Sequence, residues 1–212
     1  MKIPGYVAIE GVIGVGKTSL ATLLAERFQR KLILEEVEEN PFLSRFYDDP
    51  KTYAFQTQIF FLLSRHRQQR ELLQQDLFGQ HLVSDYLFAK DKIFAYLNLD
   101  ENELALYEHL LPFLEKDVPK PDLVIYLQTS VDILLQNIKL RGRTYEEKIT
   151  KEYINELNEA YNRFFFHYTE TPLIVVNVKN IDFVNNPADF EDLAKKICNP
   201  PKGTYYYVPV GR

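Results

Sequence analysis

Eight residues near the start of the chain, Gly11-Val12-Ile13-Gly14-Val15-Gly16-Lys17-Thr18, put glycines, a lysine and a hydroxyl into one short span. The G-x-x-x-x-G-K-[ST] spacing suits a loop that wraps a phosphate. Its glycines let backbone N–H groups turn inward, its lysine supplies a mobile charge, and its threonine can ligate Mg2+. The apolar run Tyr6 to Ile9 precedes it, and Leu20, Leu23, Leu24 and Phe28 follow at helical spacing, so the loop joins a strand to a helix N-terminus. The sequence therefore predicts nucleoside triphosphate binding through Gly11, Gly14, Val15, Gly16, Lys17, Thr18 and Ser19. A guanine-nucleotide switch is disfavoured, because Asn177-Val178-Lys179-Asn180 does not match the Asn-Lys-x-Asp base reader.

Three further groups suit transfer of a phosphoryl group. Lys139-Leu140-Arg141-Gly142-Arg143 offers two guanidinium groups about a glycine hinge, able to close over developing charge. Glu35 follows the apolar run Leu32 to Leu34, and ligands of open α/β sheets sit at the carboxyl ends of strands, so Glu35 is placed to take a proton from an acceptor hydroxyl. Asp85 stands likewise after Leu82 to Ser84, where its carboxylate serves Mg2+. Gln58 and Arg65 are two helical turns apart and share one face, with Phe61 and Leu62 between them, an arrangement suited to a flat heterocycle.

The elements that must hold these groups are five buried strands, Tyr6 to Ile9, Leu32 to Leu34, Leu82 to Ser84, Leu123 to Leu127 and Leu173 to Val178, alternating with amphipathic stretches. The expected fold is α/β: a five-stranded parallel sheet flanked by helices, with an arginine-bearing lid at about 141–149. Two helical stretches between Asp85 and Lys116, split at Asn98-Leu99-Asp100, interrupt the alternation. A chain of 212 residues is expected to form a single domain over 1–212, with a tail at 199–212 whose Thr204 to Pro209 forms a short edge strand or packs as a tail. With 46% apolar residues, wholesale disorder is excluded, and 25 Lys and Arg against 30 Asp and Glu, a net charge of −5, argue against nucleic acid as a partner. One cysteine, Cys198, and the lack of a long apolar run lead to the expectation of a cytoplasmic protein without a membrane anchor. The four histidines make no metal pattern, and Phe164-Phe165-Phe166 is expected in the core or a subunit interface.

Taken together, the phosphate loop, Glu35, the Gln58/Arg65 pair and the Arg141/Arg143 segment resemble the deoxynucleoside kinase family, in order over roughly residues 5 to 197. The resemblance implies a P-loop kinase fold, with ATP and Mg2+ used to phosphorylate the 5′-hydroxyl of a deoxynucleoside in nucleotide salvage, and a homodimer built from helices. It makes Glu35 the general base and Gln58 the reader of the base edge. Tyr47 and Glu146 contact the sugar 3′-hydroxyl, Arg65 and Asp91 flank the base, Phe94 stacks on it, and Arg141 with Arg143 forms the lid. The chain departs from the family at Glu36, where a proline is usual, at Asn137, where an arginine is frequent, and at Asp85-Tyr86-Leu87, where relatives commonly have Asp-Arg-Ser or Glu-Arg-Ser. An amide at Gln58 can donate to a ring nitrogen and accept from an exocyclic amine, while Asp91, fixed by Arg65, takes the amine's other proton. Deoxyadenosine and deoxycytidine are then favoured, with deoxyguanosine third. Two alternatives stand beside this reading. A nucleoside monophosphate kinase resembling thymidylate kinase would need a cation for its acceptor's phosphate, and the tract from Glu35 to Asp49 offers only Arg45; a non-catalytic P-loop protein would hold ATP without transfer.

Overall fold

A computed structural model describes residues 2–75, 81–200 and 202–209; Pro201 and 210–212 of the expected tail lie outside them. The run Tyr6–Gly11 is wholly buried and forms β1. It lies parallel to β3 (Leu82–Ser84) on one side and β4 (Leu123–Gln128) on the other. Beyond these lie β2 (Lys31–Ile33), parallel to β3, and β5 (Leu173–Asn177), parallel to β4. Strands covered on both faces need no polar alternation, which is why these runs are almost continuously apolar.

The sheet has six strands, not the five expected: the order is β2-β3-β1-β4-β5-β6, with β6 at Thr204–Tyr207. β6 runs parallel to β5 with Leu173 opposite Thr204 and Val176 opposite Tyr207. Its side chains are exposed except for Tyr207, so this edge strand lacks the apolar signal of its neighbours.

The crossovers are helical: α1 (Lys17–Phe28), α2 (Leu43–Asp48), α3 (Pro50–Gln75), α4 (Lys90–Asn98), α5 (Glu101–Glu115), α6 (Val131–Arg141), α7 (Lys151–Phe166) and α8 (Pro187–Ile197). The break between α4 and α5 falls where expected, and Asp100 closes it with a capping box: its carboxylate accepts from Asn102 N and Glu103 N, and Glu103 accepts from Asp100 N. The chain leaves β1 toward β2 and β3 on one side and toward β4, β5 and β6 on the other. The carboxyl end of β1 is therefore the crevice where ligands of such sheets bind.

Three apolar clusters surround that crevice. The largest covers both faces of the sheet, the second joins Leu62, Phe88, Ala95, Tyr107 and Leu111, and the third joins Leu43, Phe46 and Ala54. Leu62 corrects one detail of the sequence reading. It is fully buried in the second cluster, between α3, α4 and α5, so the face that Gln58 and Arg65 show to the crevice carries Phe61 without Leu62.

Candidate active site

The phosphate loop closes on itself at the end of β1. Gly14 has φ of 86°, and a Cβ there would lie 2.8 Å from Leu134 O. Both conformation and space thus require glycine. Lys17 Nζ donates to Gly11 O at 2.8 Å and Val12 O at 3.3 Å. Burial first, then the nearby Lys90 ammonium, lower its pKa to about 8, against the pull of Glu10, Glu35 and Asp85. Asn137 donates to Gly14 O at 2.8 Å, so this position braces the loop.

Thr18 and Asp85, both expected near a metal, are brought together: Thr18 Oγ1 donates to Asp85 Oδ2 at 2.6 Å, and Glu35 N donates to Asp85 Oδ1 at 2.8 Å. A hydroxyl and a carboxylate are hard oxygen donors that fit Mg2+ carried in with phosphate oxygens and water. Among the described residues no group of three or more His, Cys, Asp or Glu could hold a metal alone.

Glu35 faces a cavity together with Lys17, Lys90 and Arg65, where the sequence reading expects the acceptor, here called the acceptor cavity. Its Oε1 accepts from Arg65 Nε at 2.7 Å and lies 2.6 Å from Nη2, and its Oε2 accepts from Lys90 Nζ at 2.6 Å. Burial alone would raise the carboxyl; Lys90 and Arg65 reverse this and bring it down to about 2. Glu36 faces away, toward Ser64 and Arg67. Burial opposes the Arg65 charge too, yet Glu35 and Asp91 raise its pKa above the usual arginine value. Arg65 Nη1 pairs with Asp91 Oδ2, and its guanidinium lies 4.8 Å from the centre of the Phe61 ring.

Gln58, Tyr47, Phe94 and Glu146 all line the same cavity. Asp91 does not. It is fully buried one layer behind, where Gln58 Nε2 donates to its Oδ1 at 2.5 Å and its backbone O at 2.9 Å. The expectation that Asp91 meets the base directly is corrected accordingly: both of its oxygens already serve Arg65 and Gln58, and it acts on the cavity through them. Phe94 stands edge-on to Tyr161, at 6.1 Å and 88°.

The lid segment begins at the end of α6. Gly142, with φ of 64°, caps the helix, and a 3-10 turn at Thr144–Glu146 follows. The buried Glu146 accepts from Arg141 Nε at 3.1 Å and pairs with Nη2, while Arg143 lies 3.6 Å from Glu38. Both arginines also border a second cavity, between Gly14 to Ser19, Asn137 and the loop 178–185 after β5. Arg141 and Arg143 thus stand between the phosphate loop and the acceptor cavity.

Three residues escaped the sequence reading. Lys90 and Tyr161 line the acceptor cavity, and the fully buried Glu10 ties the site together, accepting from Gly11 N, Tyr161 OH and Leu87 N. Glu10 carried one signal: an acid inside an otherwise apolar strand directly before the phosphate loop. Lys90 and Tyr161 carried none, because their helices turn them inward only through tertiary packing.

The profile of the deoxynucleoside kinase family matches residues 7–200. A deoxyguanosine kinase of Bacillus subtilis is 37% identical over 202 residues, covering 93% of this chain and 98% of the relative. A deoxyadenosine kinase of Lactobacillus acidophilus is 33% identical over 205 residues, with 90% and 94% covered. The structure is similar to that of deoxyadenosine kinase from M. mycoides with bound dCTP, with a TM-score of 0.78 and 28% identity over 91% of this chain and 98% of that one.

Proposed function

This chain belongs to the deoxynucleoside kinase family and is an ATP-dependent kinase of deoxynucleosides, and from that premise we propose that its acceptors are deoxynucleosides whose base carries an exocyclic amine. The observation that carries this reading is the continuous network Gln58–Asp91–Arg65–Glu35, which joins the wall that meets the base to the carboxylate beside the phosphate loop. Gln58 spends its N–H groups on Asp91 and so, against the expectation from the sequence, keeps none for the ring nitrogen; its amide oxygen is left as an acceptor for an amine, and Arg65 keeps spare N–H donors for a ring acceptor. Deoxyadenosine and deoxycytidine fit this pattern best. Deoxyguanosine follows, supported by the name of the Bacillus relative.

In the transfer, Glu35 takes the proton of the 5′-hydroxyl as that oxygen bonds to the γ-phosphorus and the bond to the β-bridging oxygen breaks, its electron pair leaving with ADP. Tyr47 and Glu146 hold the sugar, and Arg141 and Arg143 neutralise charge on the phosphoryl oxygens. Thr18 and Asp85 would hold Mg2+, which when bound screens the triphosphate charge. A phosphorylated acceptor is disfavoured: Arg65 and Lys90 are both engaged by carboxylates, and Arg45 lies over the Tyr53 ring. The homodimer implied by the family has its candidate face on α4 and α7, where Tyr96 and Phe166 are exposed.

Coupled ATP turnover with the four deoxynucleosides and their monophosphates tests the assignment. Because Asp91 holds the Gln58 N–H groups and turns its amide oxygen to the exocyclic position, thymine would set its O4 against that oxygen, and thymidine is expected to lose to the best amine-bearing nucleoside by roughly 10 to 150-fold in kcat/KM, the value of about 1 to 3 kcal/mol for a buried polar group left unpaired. Equal kcat/KM for thymidine sinks the base assignment, and faster turnover of a monophosphate sinks the choice of acceptor.

A further inference from the structure

Lys90 lies on the first turn of α4 with its side chain turned inward; it is only 3% exposed. An ammonium is strongly hydrated, and a helix end offers it water at no cost, so its enclosure beside Glu35 calls for a physical reason. Tyr86, four residues earlier, goes the other way: it is fully buried, and its hydroxyl accepts from Gln69 Nε2 at 3.0 Å. The segment after β3 therefore delivers one cation to the cavity, and that cation is Lys90.

Its position relative to the acceptor follows from the geometry of Glu35. A carboxylate has about four lone-pair directions. Arg65 donates from Nε to Oε1 at 2.7 Å, with Nη2 2.6 Å from the same oxygen, and Lys90 occupies one direction on Oε2 at 2.6 Å. Oε2 keeps a second direction open, and a hydroxyl donating into it stands beside Lys90 Nζ. Lys90 lines the cavity together with Lys17 and Thr18 of the phosphate loop, and its charge disfavours that of Lys17.

We propose that Lys90 is a second catalytic residue, sharing Glu35 Oε2 with the acceptor hydroxyl and turning its charge to the transferring phosphoryl group once Glu35 takes the proton. The proposal rests on the reading of Glu35 as base. With Arg65, Lys90, Glu35 and Asp91 all ionised, the cluster is neutral. Proton transfer to Oε2 leaves it with one net positive charge, just as the O5′–P bond forms and the electron pair of the breaking bond leaves with ADP. Lys90 is thus paired, and hidden, until charge develops, which is the differential stabilisation that raises kcat rather than ground-state binding.

Lys90→Met, Lys90→Gln, Lys90→Arg, Glu35→Gln and the Lys90→Met/Glu35→Gln double variant test this, with kcat, KM and calorimetric nucleoside affinity in the absence of ATP. Lys90→Met and Lys90→Gln are expected to lose about 10²-fold in kcat, the scale of one preorganised donor, with nucleoside affinity within about 3-fold of wild type. Lys90→Arg should recover at least about a tenth of the wild-type kcat, and the double variant should be no more than about 3-fold slower than the slower single variant, because the two residues act as one unit. If Lys90→Met does not fold, Lys90→Gln, which retains a donor for Glu35 without the charge, carries the comparison. A crippled Glu35→Gln beside neutral variants with kcat within about 3-fold of wild type overturns the role of Lys90 and leaves the base in place. An active Glu35→Gln overturns the base itself. Loss of nucleoside affinity with kcat unchanged makes Lys90 a binding residue and overturns the proposal.

Discussion

At Glu35 two cations meet one carboxylate, and the consequence reaches both activity and acid stability. The carboxyl is held near 2 against an ordinary 4.5. Because its folded-state pKa is depressed, the stabilisation it brings is complete above about pH 4.5 and lost as the pH falls toward 2. Denaturant titrations at a series of pH values should therefore show a flatter loss of stability between pH 4.5 and 2 in Glu35→Gln than in wild type. The same variant should lose about 10²-fold or more in kcat, whereas Glu36→Gln, whose side chain faces Ser64 and Arg67, should stay within about 2-fold. If Glu36→Gln proves the damaging change, the strand-end register is wrong. The distinction between these adjacent acids was legible in the sequence because Glu35 is the first acid after the apolar run Leu32 to Leu34, although the strand itself is Lys31–Ile33 and the exposed Leu34 already lies beyond it. That Glu35 is shared between Arg65 and Lys90 was not, because each partner comes from a helix distant in sequence.

Among the elements, α3 serves two masters. Gln58, Phe61 and Arg65 face the cavity, while Leu62 rolls under them into the cluster with Phe88 and Tyr107. Leu62→Ala should cost about 2 to 5 kcal/mol in unfolding free energy, and Leu63→Ala, 51% exposed, about 0.5 kcal/mol or less. Comparable losses in chemical denaturation would place the wrong residue in the core. The lid at the end of α6 is already drawn in, since the buried Glu146 holds Arg141 and Arg143 reaches Glu38. ATP phosphates must compete with these carboxylates, so either arginine changed to Ala should lower kcat more than it raises the nucleoside KM. Steady-state kinetics with the converse pattern would move the arginines from chemistry to binding. Helical periodicity gave α3 its cavity face to within one residue. It could not separate Phe61 from Leu62, which differ only in which neighbouring helix lies beside them.

On the scale of the whole molecule, the phosphate loop after the central β1, α6 after β4 and the loop 178–185 after β5 wall one cavity at the carboxyl end of the sheet. A triphosphate bound across them should stabilise the fold by about 2.7 kcal/mol at a hundredfold excess over its Kd. Thermal melts with and without ATP should show that gain in wild type and its loss in Lys17→Ala, with the melt of the free variant close to that of the free wild type; a retained ATP shift would detach Lys17 from the donor site. Most of this architecture was legible in the sequence, because doubly covered strands are uninterrupted apolar runs and because the phosphate loop must join a strand to a helix. The sixth strand was only one of two readings of the tail, since Thr204, Tyr205 and Tyr206 face outward and show no buried pattern. Glu10 and Tyr161, which meet across 151 residues, form a contact that only the closed sheet creates.

Arg65 touches Glu35 with one side of its guanidinium and Asp91 with another, and Asp91 in turn sets the amide of Gln58. Under the proposed roles, selectivity and speed would run through a single side chain. On the proposed roles of Gln58 and Glu35, an ill-fitting base that tugs on Gln58 would misalign the proton acceptor at the other end of the network, and a poor substrate would be penalised in turnover even when it binds. For a protein engineer, this makes base preference hard to retune alone: a library that rebuilds the base-facing wall also disturbs the acceptor carboxylate, and compensating changes must be sought around Glu35 in the same round.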